Sequence, residues 1–499
     1  MDATTGAAQG AHAKDEFFAA RMYLFHITGF PQQPGVLLRQ VDAPHGARLD
    51  VWRTDPAENR HIPGPGAEGA AFSTEHFSLV NSGNRTLHAP KRSWKITLEH
   101  AAGGGNHLAG MARVNLKSMY NDPSQMREAL AWRLFGNAAV PSARHTYAKL
   151  AFDTTYYGLF SVIEQVDKRF LKDHFGDNDR GNLYKAYCGD VGCATLEHRA
   201  GPDGDDSGRQ YFTTDEDDRT YRLKTNEDDH DAGTYDDLAR FIRTINGVGL
   251  PGGDGRFDTD AFRESVDNIM NTSAFLRWAS VNLLLGSWDN YYATPSNYYL
   301  YNSGRLGAED GFMDSPYFTF IPWDYDNCLG IDYFGTKWQY TDILDWPSNT
   351  RRYWRQHSTS RIPLVQNLLR NRDYRQYYLD YLEHLLDTQF NPGAFGELIA
   401  ADSDDGLWGR VSHAAYLESA TPYGQPFTGR QFSNDEVYLS GCKQNELRHG
   451  QEKAEGIVHY VRMRRDSARQ QLEELRKTTP RVNDPADFPA TMEPLPRQP

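Results

Sequence analysis

The chain has 499 residues, 39% of them hydrophobic and 13% aromatic, and a net charge of −14. This is enough apolar material for roughly two to four domains or one large two-lobed unit, and it excludes a disordered chain. The acidic balance argues against nucleic acid as a sequence-independent partner, since a phosphate backbone demands a basic surface, but it leaves room for ATP in a local basic pocket. No stretch approaches ~18 consecutive apolar residues, so neither a transmembrane helix nor a membrane partner is expected. Met1 to Ala13 has no apolar core segment and therefore no visible signal peptide. The expectation is a soluble protein, cytoplasmic, or secreted if an upstream signal was trimmed; the oligomeric state is not legible. Four cysteines in a chain this long are not a disulfide framework. Cys188 and Cys193 are close enough to pair or to share a metal with His198, and two free or locally bridged thiols are the simpler reading.

Along the chain, residues 1–16 read as a flexible tail. Short apolar runs broken by Gly and Pro from Arg21 to Arg53 predict strands. A turn at Asn81 to Thr86 leads into a strand in which Trp94, Ile96 and Leu98 alternate with Lys95, Thr97 and Glu99, so one face is buried. Another strand is expected from Ala112 to Tyr120. Asp122-Pro123-Ser124 then opens a helix, with Asp122 as cap and Pro123 in the first turn. A hairpin follows, His145 to Asp153 and Tyr156 to Glu164, and a short helix from Gln165 to Phe175. The acidic runs Asp203 to Asp206 and Asp215 to Asp218 read as a solvated loop, because their spacing does not fit a calcium-binding loop. Helices are predicted at Tyr235 to Ile245, Thr259 to Leu285, Ile362 to Leu386 and Asn434 to Lys477, before a Pro-rich end.

The densest chemical signal is Phe320-Ile321-Pro322-Trp323-Asp324-Tyr325-Asp326-Asn327, where an apolar run ends in two aspartates. If that run is a strand, alternation places Asp324 and Asp326 on one side. Two such carboxylates call for a cation, and Mg²⁺ suits them because it takes carboxylates together with substrate phosphates. A second polar cluster, Trp288-Asp289-Asn290-Tyr291 and Ser296-Asn297-Tyr298, follows the long helix that ends at Leu285. Together the two segments point to phosphoryl transfer.

The segments SGNRTLHAPKRSWKITL, NLKSMYNDPSQMREALAWRLF, YYGLFSVIEQVDKRFL, GNLYKA, LKTNEDD, GSWDNYYATPSNYYLY and FIPWDYDNCLG resemble, in this order, those of the CotH family of spore-coat-type atypical protein kinases. The resemblance runs from about Ser82 to about Gly330. It implies an α+β, two-lobed kinase-like fold: a strand-rich N-lobe over residues 17–166 and a helix-rich C-lobe over 167–400. A helical extension (401–478) and a disordered tail (479–499) would follow. It also implies transfer of the ATP γ-phosphate to Ser or Thr of a protein substrate, with Mg²⁺ or Mn²⁺. Asp289 resembles the catalytic-loop aspartate that accepts the hydroxyl proton. Asp324 resembles the metal-binding aspartate, although no glycine follows it at the usual place. Asn297 corresponds to the asparagine that binds a second Mg²⁺, at a longer gap than in ordinary kinases. Asp326 is either a second ligand or a structural acceptor. Lys91 and Lys95 are the two candidates for the phosphate-binding lysine, and Glu128 either pairs with that lysine or lies exposed on its helix. Glu164 and Val166 fall where an adenine-binding hinge would lie, and Gly83 stands alone where ordinary kinases have several glycines. Two other readings remain: a nucleotidyltransferase or small-molecule kinase on the same fold, and a non-catalytic coat or surface binding protein.

Overall fold

The computed structural model describes residues 13–488, apart from 31–38, 56–61, 84–86, 214–218, 228–231, 251–253, 306–310, 346–361, 400–405, 419–445, 450–451 and the positions 65, 66, 88, 90, 99, 102, 103, 106, 190, 191 and 334. Arg85, Cys442 and the acidic run Asp215 to Asp218 lie outside the described residues. The secondary structure is mixed α+β. The chain divides into two compact units, one of Met1–Leu130, Ala143–Val166 and Phe395–His459, the other of Ala131–Ser142, Asp167–Ala394 and Tyr460–Pro499.

The first unit opens with helix α1 (13–19), in the stretch read as a tail, where Lys14 and Phe17 are buried. Strands β1 (Tyr23–Thr28), β2 (Val41–Asp42), β3 (Arg48–Arg53), β4 (Phe72–Thr74), β5 (Phe77–Ser82) and β6 (Ser93–Leu98) follow, then a small hairpin, β7 (His100–Ala101) and β8 (Gly104–Gly105). After β9 (Arg113–Lys117) and α2 (Arg127–Asn137) comes the hairpin β10 (His145–Phe152) and β11 (Thr155–Glu164). Nine strands form one sheet in the order β2-β5-β6-β9-β11-β10-β1-β3-β4. Its neighbours are antiparallel except β1 and β10, which run parallel. The alternation read in β6 holds: Trp94, Ile96 and Leu98 join Val114, Leu116, Leu150, Phe160 and Val162 in one hydrophobic core. Each such side chain contributes about 1.5–3 kcal/mol by leaving water. Lys95 stands opposite Asn115 in register, and Lys117 opposite Ser161, so the other face of the sheet is polar.

Strand β9 stops at Lys117, short of the expected Tyr120, because Met119 takes a left-handed backbone (φ 51). Asp122 does serve the following helix, accepting from the backbone N of Ser124 (2.9 Å) and of Arg127 (2.8 Å). Pro123 therefore lies in the capping turn, and the helix itself starts at Arg127.

In the second unit, α3 (Lys168–Phe175) is capped by Asp167. Next come β12 (Leu183–Ala186), the hairpin β13 (Cys188–Gly189) and β14 (Gly192–Cys193), β15 (Tyr221–Leu223) and α4 (Asp236–Ile245). The expected helix from Thr259 to Leu285 is two helices, α5 (Asp260–Asp267) and α6 (Thr272–Leu285), because Asn271 caps the second through Ala274 N (3.2 Å). Strands β16 (Tyr298–Asn302) and β17 (Phe318–Pro322) complete a four-stranded sheet in the order β15-β12-β16-β17, and a short β18 (Ile331–Asp332) follows. The expected helix from Ile362 to Leu386 is likewise split into α7 (Pro363–Leu368) and α8 (Arg372–Thr388), with Asn371 accepting from Asp373 N and Tyr374 N. Helix α9 (Pro392–Ile399) follows.

The chain then supplies the first unit with α10 (Leu407–Glu418) and a hairpin, β19 (Glu446–His449) and β20 (Glu452–Glu455). The final helix, α11 (Ile457–Arg476), therefore starts well after Asn434. Residues 479–488, read from composition as part of a tail, return to α8. There the carboxylate of Asp380 accepts from Arg476, Val482 N and Asn483 N, and Phe488 packs on Tyr377 and Tyr381.

Candidate functional site

Helix α6 runs through the interior, with every residue from Ala274 to Leu285 buried. It ends at Gly286, whose backbone is left-handed (φ 57) and whose added Cβ would strike Tyr460 and Trp338. Glycine is thus required at the exit that delivers Ser287 to Asn290. Both carboxylate oxygens of half-buried Asp289 are held: Oδ1 accepts from Thr294 Oγ1 (2.7 Å) and Oδ2 from Asn327 Nδ2 (3.2 Å). Its backbone carbonyl accepts from Asn297 Nδ2 (2.8 Å). The amide nitrogen of Asn297 is therefore occupied, and its amide oxygen is the atom suited to a cation.

Behind Asp289 lies a buried polar chain. Trp278 Nε1 donates to Tyr325 Oη (2.7 Å), Tyr325 Oη donates to Asn282 Oδ1 (3.0 Å), and that oxygen also accepts from Asn290 Nδ2 (2.9 Å). Burial pushes the Tyr325 hydroxyl well above its ordinary range, keeping it a donor.

The Asp324 segment meets this loop through the sheet. Tyr298 pairs with Pro322, and Trp323 N donates to Asn297 O (3.2 Å). The strand ends at Pro322, and Asp324 adopts φ 65, so strand alternation does not extend to Asp324 and Asp326. What orients them is Tyr325, driven inward between the rings of Trp132 and Phe135 (5.4 and 4.6 Å), while Leu329 N donates to Leu285 O (2.8 Å). Asn297 also has a positive φ (52), and such backbones persist in non-glycine residues where the surroundings over-determine them. The structure thus brings Asp289, Asn297 and the 324–327 segment together. Among the described residues, no three His, Cys, Asp or Glu side chains are grouped to hold a metal. Asp324 and Asp326 supply carboxylates and Asn297 an amide oxygen, the donor types that Mg²⁺ takes together with phosphates and water.

In the first unit the lysine assignment changes. Lys91 is buried and committed to Glu418 of α10 (2.6 Å). Glu128 pairs with Lys117 (2.8 Å), at the end of β9, the strand just before α2. Lys95 lies half-buried one strand over, on the same polar face. The signal for Lys117 was its place as the last alternating polar residue of a strand that runs directly into a capped helix. That a charged pair forms there follows only from the sheet order. Burial, with the nearby cations of Lys117 and Arg410, drives the His145 pKa down to about 3.

The Glu164 side chain is structural: Arg144 Nη1 (2.7 Å) and Lys14 (3.3 Å) neutralise it, and it also accepts from Arg144 N. Val166 is buried, and the chain leaves the first unit immediately after it. Gly83 has φ 112, a backbone that favours glycine. Cys188 and Cys193 form a disulfide, so neither is a metal ligand, and His198 pairs with Asp206 (2.9 Å).

A family model described as CotH kinase protein matches residues 80–404, a span that contains every candidate site residue. The chain is 23% identical over 344 residues to the inner spore coat protein H of Bacillus subtilis (strain 168), covering 69% of this chain and 78% of that protein. It is 21% identical over 328 residues to the invasin CotH2 of Rhizopus delemar, covering 64% of this chain and 48% of that protein. With the family model spanning well over half of its residues, the chain belongs to the CotH kinase protein family.

Proposed function

We propose that this chain is an atypical protein kinase that transfers the γ-phosphate of ATP to a serine or threonine of a protein substrate. The observation that carries the reading is Asp289: a carboxylate fixed on both oxygens by Thr294 and Asn327, in a loop joined to Asp324 through Asn297 and Trp323. Phosphoryl transfer needs positioning and charge neutralisation more than covalent help. In this reading Asp289 orients the attacking hydroxyl and takes its proton as the oxygen–phosphorus bond forms and the bond to the β-phosphate oxygen breaks. Asp324, assisted by Asp326 and Asn297, would hold Mg²⁺ or Mn²⁺. The ion, when bound, neutralises charge on the phosphates. Lys117, oriented by Glu128, takes the phosphate role first assigned to Lys91 or Lys95, and Lys95 is a second cation on that face. Glu164 and Val166 contribute to base binding through backbone alone. The name of the Bacillus relative places that protein in a spore coat. A coat or other surface location is proposed here too, and the disulfide fits an oxidising compartment.

The test is labelling of a protein substrate from γ-labelled and α-labelled ATP with Mg²⁺ or Mn²⁺. Label is expected from the γ position only. It should be lost in Asp324→Ala, and in Asp289→Ala with nucleotide binding largely kept. Lys117→Met should lower transfer on the order of 100-fold. Label from the α position would make the protein a nucleotidyltransferase. No label and no nucleotide-dependent thermal shift would leave a non-catalytic binding protein.

A further inference from the structure

We propose that the Cys188–Cys193 disulfide is a positioning device for the loop that carries Asp289 and Asn297, so that thiol reductants control the transfer step; this rests on the kinase reading above. The bridge closes the β13–β14 hairpin, in which the two cysteines face each other in register. The residues leaving the hairpin are bonded into the loop at three points. Ala194 N donates to Pro295 O (2.9 Å), Tyr298 Oη donates to Ala194 O (2.6 Å), and Tyr291 Oη donates to Thr195 O (3.1 Å). Ala194, Tyr291 and Tyr298 are fully buried, which makes these bonds hard to exchange for water.

Pro295 lies between Thr294 and Asn297, two of the three residues that hold Asp289. Thr294 binds its carboxylate, and Asn297 binds its backbone carbonyl. A shift of Pro295 therefore displaces both contacts. Cys188 Sγ lies 3.8 Å from the same Pro295 carbonyl. A bridged sulfur carries no hydrogen, so this is a packing contact. Once a dithiol has delivered two electrons and two protons to the bridge, becoming oxidised itself, Cys188 has an S–H that can compete with Ala194 N for that carbonyl. Both cysteines are only half-buried, within reach of a small reductant. They are five residues apart, and closing so short a loop stabilises the fold less than closing a long one. The effect of the bridge is accordingly local, on the hairpin and on the loop it braces.

The experiment uses the full chain, with and without dithiothreitol, and a thiol titration to show that the bridge has opened. In the parent, reduction should lower kcat five-fold or more with KM for ATP unchanged. The Cys188→Ser/Cys193→Ser variant should show the lowered kcat in both conditions and no response to reductant. Amide hydrogen exchange in residues 288–297 should rise on reduction while α8 stays protected. An opened bridge with unchanged kcat and unchanged exchange overturns the proposal. If neither state transfers phosphate, the kinase reading fails, and the exchange measurement still decides whether the bridge holds the loop.

Discussion

Asp289 and Asp324 stand out in the sequence because each interrupts an aromatic or apolar run, where a carboxylate has no packing role, and Asn297 stands at the start of such a run. Lys117 does not stand out, since a lysine on the polar face of a strand looks like ordinary solvent-facing alternation. Its neighbour His145 supplies a measurable consequence. Its pKa, lowered to about 3 by burial and by the cations of Lys117 and Arg410, lies below the ordinary 6.5. The folded state keeps a neutral imidazole while the unfolded chain takes up a proton. The stability this group contributes is therefore complete above pH 6.5 and is lost as pH falls toward 3. One proton corresponds to about 1.4 kcal/mol per pH unit. His145→Gln, which can keep the contact to Ser161 (2.8 Å in the parent), should flatten the decline between pH 6.5 and 5 by about 1–2 kcal/mol in urea titrations. Parallel pH curves for parent and variant would refute the assignment. The opposite trend from Asp237, whose pKa burial raises to about 6, is common to both proteins and cancels in the comparison.

At the scale of elements, the strands were the most legible: β6 shows period-two burial, and β10 and β11, buried throughout after their first residue, are rich in aromatic and apolar residues. The helix breaks were not. Apolar periodicity continues across both interruptions, and only the side chains of Asn271 and Asn371, each turned to cap the next helix, mark them. Helix α10 was hidden for a different reason. It packs on β11 through Tyr156 Oη to Ala414 O (3.0 Å) and through Glu418, whose carboxylate accepts from Lys91 and from Leu159 N (2.8 Å). Gly158 (φ 149) leaves the space for it, since a Cβ there would lie 3.0 Å from Glu418 Oε1. Glu418→Ala leaves the Lys91 ammonium buried without its carboxylate and should cost about 3–5 kcal/mol. The paired replacement Lys91→Met/Glu418→Leu should recover most of that loss. Equal melting temperatures for parent and Glu418→Ala would show that the pair contributes nothing.

For the whole molecule, the sequence order of strands followed by helices conceals that each compact unit is assembled from three separate stretches of chain. The C-terminal residues make the point. Their Pro-rich composition reads as a tail, yet Asp380 on α8 binds Val482 and Asn483 and fixes residues 479–488. Truncation after Thr478 removes those donors from a buried carboxylate and uncovers Tyr377 and Tyr381. The second unit should lose about 2–4 kcal/mol and melt several degrees lower by calorimetry. An unchanged transition would mean that the segment is dispensable.

Local sequence is enough to choose the mixed fold class, the strand periods, and the aspartates and asparagine that converge in the second unit. Those features arise from residues near one another along the chain, where side-chain period and polar punctuation act directly. Only the folded chain decides that Lys117 meets Glu128, that Lys91 meets a glutamate 327 residues away, and that Cys188 and Cys193 bridge beside Pro295. Ion pairs and braces of this kind depend on which strands become neighbours and which helices close over them. That choice is made by burying surface across the whole chain, and no local pattern contains it.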